Sequence, residues 1–218
     1  GSADLELNVA MKAENVFELG SITKQFTAVC ILMLMEQGKL TLDDEITKFI
    51  PDYPTKGKKI TVHHLLNHSS GIKSYTDMDN FLKLARTDMT PLELIDVFKN
   101  EPMDFEPGEK WHYNNSGYIL LGYIIEKVSG QPYASFIEQN IIKKLGMAHS
   151  YYGSKSAIIL NRAHGYQTTK EGFENADYLS MSLPYAAGSL MSTVDAMLLW
   201  SQAIHNNTLI TEAGKQKA

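Results

Sequence analysis

An apolar run from Phe26 to Met35, entered through Gly20-Ser21-Ile22-Thr23-Lys24, constrains this chain more than any other feature. Ahead of it stands the strand-like Val16-Phe17-Glu18-Leu19. The order therefore reads as a strand, a tight turn at Gly20 and a buried helix. The stretch from Ala28 to Met35 is too short for a bilayer, which takes about 20 apolar residues, and Lys24 and Glu36 bracket it closely. It reads as a core helix. Cys30 within it is the single cysteine, which excludes an intrachain disulfide and makes it a packed thiol.

Ser21 opens that helix, and Lys24 follows on the same face one turn later. A serine hydroxyl is a poor nucleophile until an adjacent base activates it. The unpaired N–H groups and positive dipole end of a helix N-terminus favour an anion forming on an acyl group held there. To act as the base, Lys24 must be neutral. Lowering its pKa from about 10.4 towards 7 takes roughly 4–5 kcal/mol from burial and neighbouring cations. The S-x-x-K spacing alone is weak, because about one match is expected by chance in a chain of this length. A second match, Ser70-Gly71-Ile72-Lys73, follows Asn67-His68-Ser69 and carries Gly at its second position, so it reads as a loop leaving a helix. Context separates Ser21 from Ser70.

A further candidate constellation is Tyr113-Asn114-Asn115, inside Trp111-His112-Tyr113-Asn114-Asn115-Ser116-Gly117-Tyr118. The helix after it runs from about Ser116 to Val128 and closes at Gly130, with Pro132 beyond. A Y-x-N segment in that position offers a phenol that relays a proton and an amide that binds a substrate amide. For an isolated Y-x-N, a surface tyrosine beside a capping asparagine is the better reading. Paired with Ser21 and Lys24, it favours catalysis.

Taken together, these residues resemble the serine beta-lactamase and penicillin-binding protein superfamily. The likeness is to the branch holding class C beta-lactamases, D-alanyl-D-alanine carboxypeptidases and related esterases. Phe17 to Thr27 resembles its nucleophile segment, and His64 to Ile72 the short helix and loop that follow. Tyr113 to Tyr118 with Leu120-Leu121-Gly122 resembles its second catalytic motif, and Ala186 to Thr193 with Asp195 a later loop and helix. The resemblance implies one α+β, beta-lactamase/transpeptidase-like catalytic domain over residues 1–218, a helical body with part of an antiparallel sheet. It implies Ser21, Lys24 and Tyr113 as catalytic residues and Asn115 as a substrate-binding residue, with no metal and no cofactor. The expected reaction is hydrolysis of amides or esters through an acyl-enzyme, on D-alanyl peptides, beta-lactams or small esters. No segment resembles the glutamate-bearing loop of class A beta-lactamases, which favours the tyrosine-dependent branch. A sensor or binding domain, acylated at Ser21 without turnover, is the alternative. The resemblance also implies a periplasmic or other extracytoplasmic location.

The third motif of the family, K-T-G or H-x-G on a strand, is not found. Lys170-Glu171-Gly172 has suitable letters but reads as the tip of a hairpin between strands at about Arg162–Thr168 and Phe173–Tyr178. The expectation is of a domain cut at both ends, lacking strands before Gly1 and after Ala218.

Elsewhere the pattern is mostly helical. A short element lies between Thr41 and Pro51, a helix capped by Thr61 runs to Asn67, and another spans about Met78 to Ala85. Thr90-Pro91 starts a helix to about Lys99, Tyr133 to Lys144 is a helix closed by Gly146, and a last helix runs from about Val194 to Ile204. His63, His64 and His68 cluster, but no Asp or Glu lies in that helix to complete a zinc-hydrolase motif, so they are assigned to loop packing. His112 is a further candidate neighbour of the site. Asp43, Asp44 and Glu45 read as a helix-start cluster. With a net charge of -5 and dispersed Lys and Arg, nucleic acid is not expected as a partner, and Lys58-Lys59 and Lys143-Lys144 read as solvated faces. Nothing here sets an oligomeric state. If strands are missing at both ends, the 218 residues expressed alone should be poorly soluble. They should also turn over about a hundred- to a thousandfold more slowly than a complete frame, the scale of one lost oxyanion donor. Sedimentation and turnover measured on both proteins check this.

Overall fold

The computed structural model describes residues 1–217. Helix α1 (Thr23–Glu36) runs through the middle, with Phe26, Val29, Cys30, Ile31, Leu32, Met33 and Leu34 all buried. Burial on nearly every side follows from its unbroken apolar sequence, since no face is left to offer water. It pushes the Cys30 thiol pKa far up, so Cys30 is a packing group rather than a nucleophile.

Several helices follow in chain order. Val62–Leu66 is α2, Phe81–Leu84 is α3 and Pro91–Phe98 is α4. Thr61 and Thr90 start α2 and α4 through capping boxes closed by His64 and Glu93. The long α5 (Asn115–Ser129) is capped by Asn114 and ends at Gly130 with φ 71°, the left-handed turn that glycine adopts without a Cβ penalty. Next come α6 (Tyr133–Ile137) and α7 (Lys143–Leu145), then α8 (Tyr185–Gly188), α9 (Val194–His205) and α10 (Glu212–Lys215). Helix α1 packs against both α5 and α8. On α9, Trp200 stacks on Phe26 with ring centroids 3.8 Å apart.

Strands are short. In chain order they are β1 (Ser2–Asp4), β2 (Val9–Ala10), β3 (Phe17–Glu18), β4 (Tyr151–Tyr152), β5 (Tyr166–Thr169), β6 (Gly172–Asn175) and β7 (Leu190–Ser192). The sheet that matters for the site is antiparallel with order β3-β7-β4, pairing Phe17 with Ser192 and Tyr151 with Met191. It fixes where β3 ends and Gly20-Ser21 begins. Strands β1 and β2 pair with each other, and β5 and β6 form a hairpin.

Three sequence expectations change. The helix expected over Tyr133–Lys144 is broken by a π-helical turn, Glu138–Ile142, before it closes at Gly146. Asn140 Nδ2 donates to the Phe136 carbonyl at 2.9 Å, taking the acceptor that an α-helix gives to the Asn140 N–H. The segment from Met78 to Ala85 holds only the single turn α3, after a 3₁₀ turn at Tyr75–Asp77. Strands β1, β2, β4 and β7 were not expected, because two or three residues are too few to show alternation. The expected hairpin tip at Lys170-Glu171 is observed between Thr169 and its partner Gly172.

Close approach of α5 to α8 depends on Gly122, where a Cβ would overlap the Ala186 methyl and the Tyr185 ring. Gly122→Ala should therefore destabilise the protein by about 1–2 kcal/mol, overpacking outweighing the gain in helix propensity. Chemical denaturation checks this; unchanged or raised stability would show that α8 yields freely.

Candidate active site

Strand β3 delivers the chain to Gly20, whose φ of 53° turns it into a 3₁₀ turn, Gly20–Ile22, just ahead of α1. Ser21 lies exposed in that turn, and Lys24 is in the first turn of α1, only 7% exposed. Lys24 Nζ reaches Ser21 Oγ at 3.1 Å. Its other contacts are Asn115 Oδ1 at 2.8 Å and the Ala187 carbonyl at 2.9 Å. Among the described residues, no ion pair includes Lys24.

The count of acceptors has a chemical consequence. A neutral amine has two N–H bonds and one lone pair. The Asn115 and Ala187 oxygens can accept both N–H bonds, which leaves the lone pair for the Ser21 proton. Burial lowers the Lys24 pKa below its ordinary value, while the hydrogen bonding and charge of Tyr113 act in the opposite sense. Lys24 Nζ also stands 4.8 Å from the Tyr113 ring centre and 5.5 Å from that of Tyr118.

Tyr113 comes from the extended segment ahead of α5 and is 39% exposed. Its hydroxyl donates to Ser21 Oγ at 2.7 Å, opposite the amine. Asn115, the first residue of α5, gives one Nδ2 hydrogen to Thr76 Oγ1 at 3.0 Å. Ser74 Oγ accepts from the Asn115 backbone N–H at 3.2 Å. Lys24 and Tyr113 thus meet at the Ser21 hydroxyl, and Asn115 joins them through Lys24. A cavity of about 350 Å³ opens beside Ser21, lined by Asn115 and Thr76 on one side and by Tyr75, Phe81, Leu179 and Leu183 on another.

The competing Ser70 is buried, and its Oγ accepts from the Ile72 N–H. Lys73 turns instead to Asp104 at 3.2 Å. His112 points its ring at Phe105, with centroids 6.5 Å apart. His68, assigned to loop packing, lies nearer the chemistry: its ring is 4.8 Å from that of Tyr113. Burial, then the Lys24 charge, lower its pKa below the ordinary imidazole value. His63, His64 and His68 do not converge as ligands. Among the described residues, Asp4, Glu6 and His164 do, within 4.8 Å. Glu6 is already hydrogen-bonded by Tyr166 and Asn175, and Asp4 by the Leu7 N–H, so the cluster is closed on itself.

Sequence reasoning placed Ala186 to Gly188 in a family-like loop but gave the turn Pro184 to Gly188 no part in the site. Tyr185 has φ 37°, a strained value for a bulky residue, and the turn aims two successive carbonyls at α1. Ala187 O takes Lys24, and Ala186 O accepts Thr27 Oγ1 at 2.7 Å, itself 2.6 Å from Tyr133 OH. Backbone carbonyls have no sequence signature, so nothing pointed to them.

A helical body around α1 with a small antiparallel sheet defines the beta-lactamase/transpeptidase-like fold. The chain belongs to the beta-lactamase family, whose model matches residues 1–218. It is 30% identical to penicillin-binding protein 4* of Bacillus subtilis, covering 100% of this chain and 51% of that protein. It is 27% identical to the mitochondrial serine beta-lactamase-like protein of Homo sapiens, over 94% of this chain and 50% of that one. The chain thus spans about half the length of the curated relatives it matches. Among solved structures, a penicillin-binding protein from Bacillus halodurans superposes with a TM-score of 0.87 at 30% identity, covering 99% of this chain and 67% of that one. The D-amino acid amidase of Ochrobactrum anthropi SV3 superposes at 0.89 with 27% identity, covering 98% and 63%. No helix among the described residues is long and apolar enough to cross a membrane.

The buried amine has a pH signature. A protonated Lys24 has no lone pair for the Ser21 proton, so acylation should rise with pH as Lys24 loses its proton. Because its pKa is lowered, the midpoint should fall below the ordinary amine value of about 10.4. Phosphonylation of Ser21 followed across pH reads this; a midpoint at or above the ordinary value would contradict it.

Proposed function

We propose that this protein is a serine hydrolase that cleaves amide or ester bonds through an acyl-enzyme on Ser21. The observation that carries the reading is the placement of Ser21 Oγ between Lys24 Nζ at 3.1 Å and Tyr113 OH at 2.7 Å. Neutral Lys24 takes the Ser21 proton as Oγ attacks the substrate carbonyl. The Ser21 backbone N–H, at the positive end of α1, supplies one donor to the oxyanion. The tetrahedral adduct collapses as Tyr113 protonates the leaving nitrogen or oxygen, and the Lys24 ammonium returns a proton to Tyr113. Water then enters with the same pair acting in reverse, Tyr113 with Lys24 taking its proton, and releases the acid.

Asn115 has two functions in this scheme. Its oxygen holds Lys24, and the Nδ2 hydrogen not given to Thr76 serves the substrate amide in the cavity it lines. The substrates in view are D-alanyl peptides, beta-lactams and small esters, by analogy with relatives named penicillin-binding protein, D-alanyl-D-alanine carboxypeptidase and D-amino acid amidase. The penicillin-binding relatives favour an extracytoplasmic site of action.

A fluorescent penicillin or fluorophosphonate, with the adduct mapped by mass spectrometry, tests the nucleophile. The adduct should fall on Ser21 and vanish in Ser21→Ala; an adduct on Ser70 would overturn the assignment. Lys24→Ala should slow acylation by roughly a hundredfold or more, the scale of general-base catalysis. Tyr113→Phe should impair amides more than activated esters, and equal losses on both would contradict its role as the acid. A burst without continued turnover would mark a protein that is acylated and held.

A further inference from the structure

We propose that His68 is the positioning residue for Tyr113, a clamp that fixes the phenol on Ser21 by gripping the chain on both sides of it. The residue before Tyr113 is held by the His68 backbone: the His112 N–H donates to the His68 carbonyl at 2.9 Å. The residue after Tyr113 is held by the His68 side chain: the Asn114 N–H donates to Nδ1 at 3.1 Å. Between these two bonds the His68 ring lies against the Tyr113 ring, centroids 4.8 Å apart and planes tilted by 35°. One residue therefore holds the residue before Tyr113, the peptide after it and its ring.

The backbone shows the cost of that arrangement. His68 has φ 61°, left-handed for a residue with a Cβ, at the point where the chain leaves α2. That conformation lets its carbonyl and its Nδ1 both face the segment leading to α5. The rest of the loop continues the docking: the Ser69 carbonyl accepts from the Gly108 N–H and the Gly71 carbonyl from the Asp104 N–H, each at 2.8 Å. Asn114 Nδ2 donates to the Ile72 carbonyl. His68 is the end of this ladder nearest the reacting atoms. On its other face it lies 5.2 Å from the ring of Tyr118, whose hydroxyl donates to the Leu66 carbonyl at 3.0 Å.

Geometry also separates this function from simple loop packing. An imidazole that accepts at Nδ1 carries its proton on the other nitrogen and is neutral. A cation at the same place would lose the Asn114 bond and stand beside Lys24. A phenylalanine would keep the ring and lose the acceptor. An asparagine would keep an acceptor close to the Nδ1 position and lose the ring.

The catalytic part of this inference rests on Tyr113 being the acid for Ser21, and the test separates the two. Amide hydrogen exchange at His112 and Asn114 reads the clamp without any substrate. His68→Ala should speed exchange at Asn114 with little change in the global unfolding midpoint, and His68→Asn should restore much of the protection. Kinetics then read its consequence. His68→Ala should lower the rate on amides by about tenfold to a hundredfold, the scale of a misplaced group, and the rate on activated esters much less. In a Tyr113→Phe background the same change should cost less than about twofold, because the group it positions is gone. His68→Phe should behave as His68→Ala on exchange. Unchanged exchange at Asn114 in both variants would overturn the clamp. Multiplicative losses in the double variant, or equal losses on esters and amides, would overturn its action through Tyr113. Absence of any Ser21 adduct in the parent protein would instead overturn the hydrolase reading and leave the exchange result standing. If His68→Ala does not fold, His68→Asn and His68→Phe carry the same comparisons.

Discussion

The structure depends on one buried amine. Lys24 is placed by α1 where water is largely excluded and, among the described residues, no carboxylate pairs with it, an expensive position for a charged group. What makes the position tolerable is a matched set of oxygens: two carbonyl-type acceptors and one hydroxyl. Those oxygens come from three separate parts of the chain, the turn before α1, the start of α5 and the turn of α8. Holding them within hydrogen-bond reach of one nitrogen is what the surrounding fold achieves.

Each of the three parts has its own support. Strand β7 pairs with β3, so the end of β3 and the start of the Gly20 turn are fixed by the sheet. Helix α5 is anchored at its first turn by Asn114, which caps Gly117, and by Ser74 and Thr76 against Asn115. The α8 turn holds a strained Tyr185, stabilised by Thr27, itself bonded to Tyr133, at the Ala186 carbonyl and by Lys24 at Ala187. Strain of this kind costs about 1–3 kcal/mol and persists where neighbouring contacts over-determine it. Here those contacts include Lys24 itself, so the strained turn and the buried amine stabilise each other.

Tyr113 stands apart from that interior. It is substantially exposed and belongs to an extended segment, the kind of chain that wanders unless tied down. The ties run to the loop after α2, through His68 and the carbonyls of Ser69, Gly71 and Ile72. The Tyr113 side of the site is thus held by loop-to-loop hydrogen bonds, whereas the Lys24 side is held by core packing. Perturbations of the 68–72 loop are therefore expected to act on Tyr113 before they reach Lys24.

The sequence by itself determined the turn that carries Ser21 and Lys24, because its signals are local. An apolar helix, a glycine before it and a serine one turn from a lysine are read within a dozen residues. It also separated Ser21 from Ser70 on local context, and singled out Tyr113 and Asn115 once they were paired with the Ser21 motif. Most helices were legible from caps and breakers such as Thr90-Pro91 and Gly130, whereas the two- and three-residue strands were not, since pairing partners define them. Only the tertiary structure decided that Asn115 is first a partner of Lys24, that the Ala187 carbonyl completes the amine's set, and that His68 belongs beside Tyr113. These are contacts between residues 46 to 163 positions apart. Long-range geometry of this kind, and above all a backbone carbonyl that every residue carries, leaves no mark on the identity of a single residue.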